Sequence, residues 1–344
     1  RSKSRFALEM AENGHTMACM TETSRSVIRW GILGAANIAK TRVIPAMMQL
    51  APSVEVRGIA SRTKERAEAF AEEFKIPLVF ASYQELIDSN EIDAVYIPLP
   101  ISEHRRWAER CALAGKPALV EKSLAENAPA AGAIRDAFVR EGVMVAEALM
   151  YRYHPLIRRV KALIDSGRIG TMQLIRSNFE ISLPRTDIRY FKALGGGAML
   201  DLGCYNVSIA RYLTGEEPIR MHGVGQFGEV DEVFAGLMQF PSGVVSHLGC
   251  SLRGGFDCSF EVVGAKGRIR VDRGGMVVWP GEDFRIKIFE GDVASEELIP
   301  AADSYVLMVD DFCRKMREGV VDSGSLDDAI ANLRVIDAML ASAQ

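Results

Sequence analysis

The 344-residue sequence has no CxxC pair, no surplus of basic charge and no apolar run near the ~18 residues that a membrane-spanning helix needs. Its six cysteines, at 19, 111, 204, 250, 258 and 313, show neither zinc-site spacing nor a disulfide framework. They imply reduced thiols in a cytoplasmic protein, with no metal site. A formal net charge of -4 leaves no electrostatic footprint for nucleic acid or for an anionic membrane surface. Internal repeats and low-complexity tracts are also missing. Residues 1 to 27 have no apolar signal-peptide centre and no sustained period, and read as a leader or flexible arm.

What remains is a chain that is 48% hydrophobic and long enough for two cores. From 28 to 150, short apolar runs (IRWGIL, VEVRGIA, LVFAS, DAVYIPL, ALVEK, VMVAEAL) alternate with helical stretches such as KERAEAFAEEF, SEHRRWAERCALAG and APAAGAIRDAFVREG. Strands so uniformly apolar predict a parallel sheet covered on both faces, a doubly wound α/β domain. From 151 to 344 the rhythm changes. A helix over 155–167 precedes a strand over 172–182 and a glycine-led helix after 195. Consecutive strand runs then predict a large, mainly antiparallel open sheet, and two helices near 304–319 and 325–342 close an α+β domain. The three tryptophans, at 30, 107 and 279, read as packing residues.

The first strand runs into GILGAANIAK, where Gly34, Ala36 and Ala39 hold the three small-residue positions of a dinucleotide-binding turn. Such a turn, at a helix N-terminus, would offer Gly34, Ala35, Ala36, Asn37 and Ile38 to a pyrophosphate. At the end of the second strand there is no carboxylate before Glu65; Ser61 and Arg62 stand there instead. A carboxylate would repel a phosphate on the adenosine ribose, and Ser61 and Arg62 would bind one, so NADP(H) is expected in preference to NAD(H). Arg62 and Lys64 are equally consistent with a solvated helix start.

Ligands of parallel sheets collect outside the carboxyl ends of the strands. Glu121 and Lys122 end the fifth strand there, and Glu147, Tyr151, Arg152 and His154 follow the sixth. Arg152 is a candidate for holding substrate or cofactor, whereas His154, before a proline, has the place of a helix start. In GGGAMLDLGCYNVS, Asp201 and Tyr205 stand four residues apart and would share a helix face. A buried carboxylate needs a partner. A lysine across an interdomain cleft would supply one, and the glycines 195 to 197 would let the chain pass close to a ligand. A hydrogen-bonded pair that merely fixes packing is the alternative. Arg185, Arg189 and Lys192 precede this helix and, from spacing alone, read as a charged surface loop.

The turn GILGAANIA, the run YIPLPISEH, the strand end VEKSL, the segment AEALMYRYHP and the helix GGGAMLDLGCY, in this order, resemble the glucose-fructose oxidoreductase/inositol dehydrogenase (Gfo/Idh/MocA) family, over roughly residues 28 to 344. The resemblance implies a Rossmann domain and NAD(P)-dependent oxidation or reduction of a sugar, sugar derivative or related diol. It places the catalytic lysine at Lys122, in a Glu121-Lys122-Ser123 version of a Glu-Lys-Pro motif, and the acid and phenol at Asp201 and Tyr205, the tyrosine-type branch. It implies cofactor contacts at Leu99, Pro100, His104, Glu121, Lys122, Arg152 and Arg189, and a homodimer or homotetramer in which a partner covers the open sheet. In this reading Tyr205 is the general acid or base, Lys122 lowers its pKa, and Asp201 orients substrate and keeps the lysine charged. Other readings are redox-neutral glycoside cleavage with bound nicotinamide, and a non-catalytic dinucleotide or sugar sensor.

Overall fold

A computed structural model of the chain describes residues 27–277, 281–321 and 324–343. Of the leader expected over residues 1 to 27, residues 1–26 lie outside the described residues, as do Cys19 and Trp279.

Six strands form the first sheet: β1 (Ile28–Leu33), β2 (Val54–Ala60), β3 (Leu78–Val79), β4 (Ala94–Ile97), β5 (Ala118–Glu121) and β6 (Val145–Ala148). Their order is β3-β2-β1-β4-β5-β6 and every pairing is parallel. Every residue of β4 and β5 is buried, as a sheet with both faces covered requires. The cover comes from α1 (Ile44–Gln49), which continues a π-helical turn at Ala39–Val43, and from α2 (Lys64–Phe74), α3 (Tyr83–Asp88), α4 (Ile101–Leu113) and α5 (Ala128–Glu141). Local signals set these helices. Asn127 accepts a bond from the Ala130 amide to start α5, and Gly142, at φ 64°, stops it. Ser82 caps α3 by accepting from the Glu85 amide, which is why β3 ends at Val79 and not at the predicted residue 82. The strand order reverses between β1 and β4, so a ligand crevice opens at the carboxyl ends of these strands.

The second half begins with α6 (Pro155–Asp165), capped by the His154 side chain, which accepts from the Leu156 amide. It continues through β7 (Met172–Ser182), a π-helical turn at Met199–Gly203 and α7 (Cys204–Thr214). Strands β8 (Arg220–Phe227), β9 (Asp231–Gln239), β10 (Val245–Ser251), β11 (Arg253–Gly264), β12 (Arg268–Val271), β13 (Phe284–Glu290) and β14 (Val293–Ile299) complete an eight-stranded sheet in the order β14-β13-β12-β11-β7-β10-β9-β8. One pair, β7 with β10, is parallel, because α7, β8 and β9 carry the chain back to the starting end before β10. The edge strand β14 has no apolar alternation, with five of its seven residues exposed, and so gave no strand signal.

Each sheet lies on one side of residue 150, but the closing helices α8 (Ser304–Arg317) and α9 (Gly324–Ser342) return to the first domain. Phe312 of α8 packs on Trp30 of β1 with ring centroids 5.1 Å apart. Asp337 of α9 accepts from the Ala128 amide at the start of α5. The first domain is thus closed by residues from the far end of the chain. Phe312→Ala is expected to cost about 3 to 5 kcal/mol, the range for truncating a buried aromatic. Urea unfolding checks it, and an unchanged midpoint would mean that α8 is not part of the first core.

Candidate active site

Lys122 follows the last residue of β5, and its bond to Ser123 is a cis peptide. The exit loop is held from three directions. His104 Nδ1 lies 3.0 Å from the Ser123 carbonyl and Nε2 lies 2.8 Å from that of Leu99. Ser123 Oγ donates to the Leu200 carbonyl at 2.8 Å, and the Leu124 amide donates to Glu147 Oε1 at 2.8 Å. His104 is fully buried, and burial pulls its pKa below the usual imidazole value. Expected as a cofactor contact, it sets its ring between main-chain carbonyls at the exits of β4 and β5, and the single N–H of the neutral imidazole can donate to one of them.

The other wall is the helical turn Met199–Gly203, and the glycines before it are closely packed on protein atoms. A Cβ on Gly196 would fall 2.4 Å from the Arg189 carbonyl, and one on Gly197, at φ +127°, would fall 2.3 Å from Asp231 Oδ1. Asp231 needs that proximity: its Oδ2 accepts from the Met199 amide at 2.6 Å, satisfying a donor at the start of the turn. Burial pushes the Asp231 carboxyl up to about 7.

Lys122 and Asp201 meet between these walls. Lys122 Nζ donates to Asp201 Oδ1 at 2.6 Å and to the Asp201 carbonyl at 2.7 Å. Arg189 Nε donates to the other oxygen, Oδ2, at 2.6 Å, and Arg189 also pairs with Asp187 at 3.1 Å. Burial alone would raise the Asp201 carboxyl; the charges of Arg189 and Lys122 outweigh it and hold the group down at about 2. Burial likewise favours a neutral Lys122, but Asp201 overrides it and lifts the ammonium above its ordinary value. The arrangement at rest is an anion between two cations at neutral pH.

Tyr205 departs from expectation. Its hydroxyl contacts Met150 Sδ at 3.6 Å, and its ring packs against Tyr151 and Phe179. Lys122 Nζ stands over the ring face, 5.2 Å from the centroid, a cation–π geometry. The phenol therefore gains no donor from the lysine, and burial pushes its pKa well above 10. The expected lowering by Lys122 is reversed. The π-type winding between Asp201 and Tyr205 changes the register by which residues four apart share a face.

At the dinucleotide turn, Gly34 adopts φ +111° and its amide donates to the Ala60 carbonyl. Leu99 packs on it: a Cβ on Gly34 would fall 2.9 Å from Leu99 Cδ2. Ala39, the third small position, is fully buried, which brings the helix close to the sheet. The first amides after the turn, at Asn37 and Ile38, open a helix and have no acceptor within it. Ser61 is half-buried and Arg62 exposed, with no carboxylate beside them. Arg66 of α2, overlooked in the sequence, reaches across to the turn after β1 and donates to the Ala35 carbonyl at 3.1 Å. These features fit a phosphate-bearing dinucleotide.

Two other cofactor candidates are engaged elsewhere. Arg152 is drawn into the α7–α9 packing, donating to Asp328 at 2.7 Å with its guanidinium 4.4 Å from the Tyr212 ring centroid. Glu121 is buried and accepts from the Tyr96 hydroxyl at 2.6 Å. Among the described residues no cluster could hold a metal ion, no helix is long and apolar enough to cross a membrane, and the five cysteines are buried and free.

The first half matches the family described as "Oxidoreductase family, NAD-binding Rossmann fold" over residues 28–149, and the second matches "GFO/IDH/MocA C-terminal domain" over 157–270. The chain belongs to the Gfo/Idh/MocA oxidoreductase family. Similar Gfo/Idh/MocA-type proteins include a D-xylose 1-dehydrogenase (NADP(+)) of Haloferax volcanii, 34% identical over 92% of this chain and 97% of the relative. A dTDP-3,4-didehydro-2,6-dideoxy-alpha-D-glucose 3-reductase of Saccharopolyspora spinosa is 35% identical over 89% and 92%. Among solved structures, a 3-ketoreductase from Actinomadura kijaniata in complex with NADP and TDP-benzene superposes with a TM-score of 0.88 at 29% identity, covering 92% of this chain and 98% of that one.

In this Gfo/Idh/MocA chain the residues the sequence did not single out are Arg66, Asp231 and the Ser123 hydroxyl. Arg66 had a signal, since it lies in the first turn of the helix that follows the second strand, close to Arg62 in the chain. Asp231, 32 residues from the amide it caps, had none.

Asp201 supports one prediction. Its depressed pKa contributes stability above pH ~4, and that stability is lost as the pH falls towards about 2. Asp201→Asn leaves two cations without their anion and is expected to cost about 3 to 5 kcal/mol at pH 7, with the deficit shrinking as the pH falls below 4. Urea unfolding at pH 7 and pH 3 measures both, and equal stability at pH 7 would contradict the assignment.

Proposed function

We propose that the chain is an NADP(H)-dependent oxidoreductase of a sugar or sugar-like carbonyl and its alcohol, in which Lys122 rather than Tyr205 handles the proton. The observation that carries this reading is the paired geometry at Lys122: a cationic amine at the strand-end crevice, fixed by an anion too acidic to take its proton. Gly34, the turn amides, Leu99, Ser61, Arg62 and Arg66 would hold the dinucleotide, with Ser61 and the two arginines suited to a ribose phosphate. When bound, the nicotinamide supplies or accepts hydride at the reacting carbon.

For reduction, the Lys122 ammonium donates a hydrogen bond to the carbonyl oxygen and transfers its proton as negative charge develops there. The neutral amine then recovers a proton from solvent. Asp201 cannot intercept it, because Arg189 and Lys122 stabilise its anion. Tyr205 supports the ammonium from below through its ring face. The names of the xylose dehydrogenase and the 3-ketoreductases support a sugar-like substrate.

A copy of the chain is the proposed cover for the outer face of the eight-stranded sheet, where Val224, Leu237 and Val245 are exposed side by side. Sedimentation at micromolar concentration tests this, and a monomer would refute it.

Kinetics with NADPH and a panel of keto-sugars and aldoses tests the chemistry. Lys122→Ala is expected to lose ~10²-fold or more in kcat, the low end for a lost proton-transfer group. Tyr205→Phe is expected to stay within about fivefold, because one neutral contact is worth ~1 kcal/mol. The reverse ranking would return the proton to the phenol. Because the Lys122 pKa is raised, its acid form persists through neutral pH. Reduction should be flat from pH 6 to about 9 and oxidation should climb with pH across that span, which rate profiles in both directions will show.

A further inference from the structure

Two neighbouring side chains of the first domain reach the turn that carries Asp201, and only one of them is Lys122. Ser123 Oγ donates to the Leu200 carbonyl at 2.8 Å, beside the 2.7 Å bond from Lys122 Nζ to the Asp201 carbonyl. Within a regular α-helix these carbonyls would be taken by amides four residues on. The turn Met199–Gly203 is π-helical, and such a turn shifts that pairing. Here two successive carbonyls of the turn accept donors from two successive residues at the exit of β5.

Ser123 is 1% exposed, so its hydroxyl has no water to fall back on. Its own carbonyl faces His104 Nδ1 at 3.0 Å, and the next amide, Leu124, donates to Glu147 at 2.8 Å. The residue after Lys122 is therefore pinned at its side chain, its carbonyl and the following amide. Of these ties, the hydroxyl is the one that crosses to the second domain.

We propose that the Ser123 hydroxyl is a positioning residue for Lys122: by fixing the β5 exit on the Leu200 carbonyl, it sets the span across which Lys122 Nζ meets Asp201. The proposal rests on the reading of Lys122 as proton donor. It places no atom of Ser123 on substrate or cofactor. Without the tether the exit loop and the helical turn separate, the Lys122–Asp201 bond lengthens, and the ammonium loses part of the charge stabilisation that keeps it protonated. A packing role alone would lower thermal stability and leave the lysine unchanged.

The test uses the full chain with NADPH bound, labelled at lysine Cε and Nζ, with the Lys122 signal assigned through Lys122→Arg and its titration followed by NMR. In Ser123→Ala, Lys122 is expected to titrate lower than in the parent, back in the ordinary lysine range. Losing one such hydrogen bond should cut kcat roughly five- to tenfold, with the KM for NADPH within about twofold of the parent. Ser123→Thr, which keeps the hydroxyl, should restore both. If Ser123→Ala does not fold, Ser123→Cys, with a weaker donor, carries the same titration readout. A parent-like Lys122 titration in either folded variant overturns the proposal. Full turnover by Lys122→Ala would instead remove the proton-donor reading, whatever the titration shows.

Discussion

The site depends on one carboxylate. Asp201 is buried, and a buried carboxylate is tolerated only when opposite charge and hydrogen bonds replace the water it loses. Lys122 satisfies one oxygen and Arg189 the other, and the three come from different places: the end of β5, the loop after β7 and the turn before α7. Bringing them together requires the two domains to meet at a fixed distance. The glycines of 195–197 and the Asp231 cap shape one wall, and His104 shapes the other. Much of the architecture around the crevice can be read as the means of making that one ion cluster affordable.

The cluster also separates roles that the two cationic partners and the phenol would otherwise share. A carboxyl near 2 stays an anion throughout the physiological range, so it orients and does not exchange protons. Arg189 is always charged. Tyr205 is sealed against Met150 and apolar rings, which is why the proposed proton donor is the lysine. The buried phenol supplies a ring face, and that face is itself a mild stabiliser of the charge above it.

Much of this was legible in the sequence, for physical reasons that can be named. Short apolar or β-rich runs marked β1, β2 and β7, and a helical pattern marked α2, with their observed limits, because such patterns act locally. The parallel character of the first sheet followed from strands with no wet face. Lys122, Asp201 and Tyr205 were marked by charge or polarity inside apolar runs, although their order in the chain could not tell which atom met which. The direction of the Tyr205 hydroxyl was hidden by the π-helical turn, which leaves no trace in residue spacing. Arg152 drew notice as a polar side chain at a strand end and His104 through the family resemblance; the sequence showed neither the contact of Arg152 with Asp328 nor the two main-chain carbonyls that face His104. Strand β14 and the return of α8 to β1 depend on tertiary packing, and no local pattern announces them.

The most direct measurement is a crystal structure of the chain with NADP(H) and a sugar-like substrate or inert analogue, read for the group nearest the reacting oxygen. The expected result is Lys122 Nζ at about 3 Å from that oxygen, still bonded to Asp201, with the Tyr205 hydroxyl remaining on Met150. A complex in which Tyr205 turns to face the oxygen while Lys122 has left Asp201 would contradict the central claim.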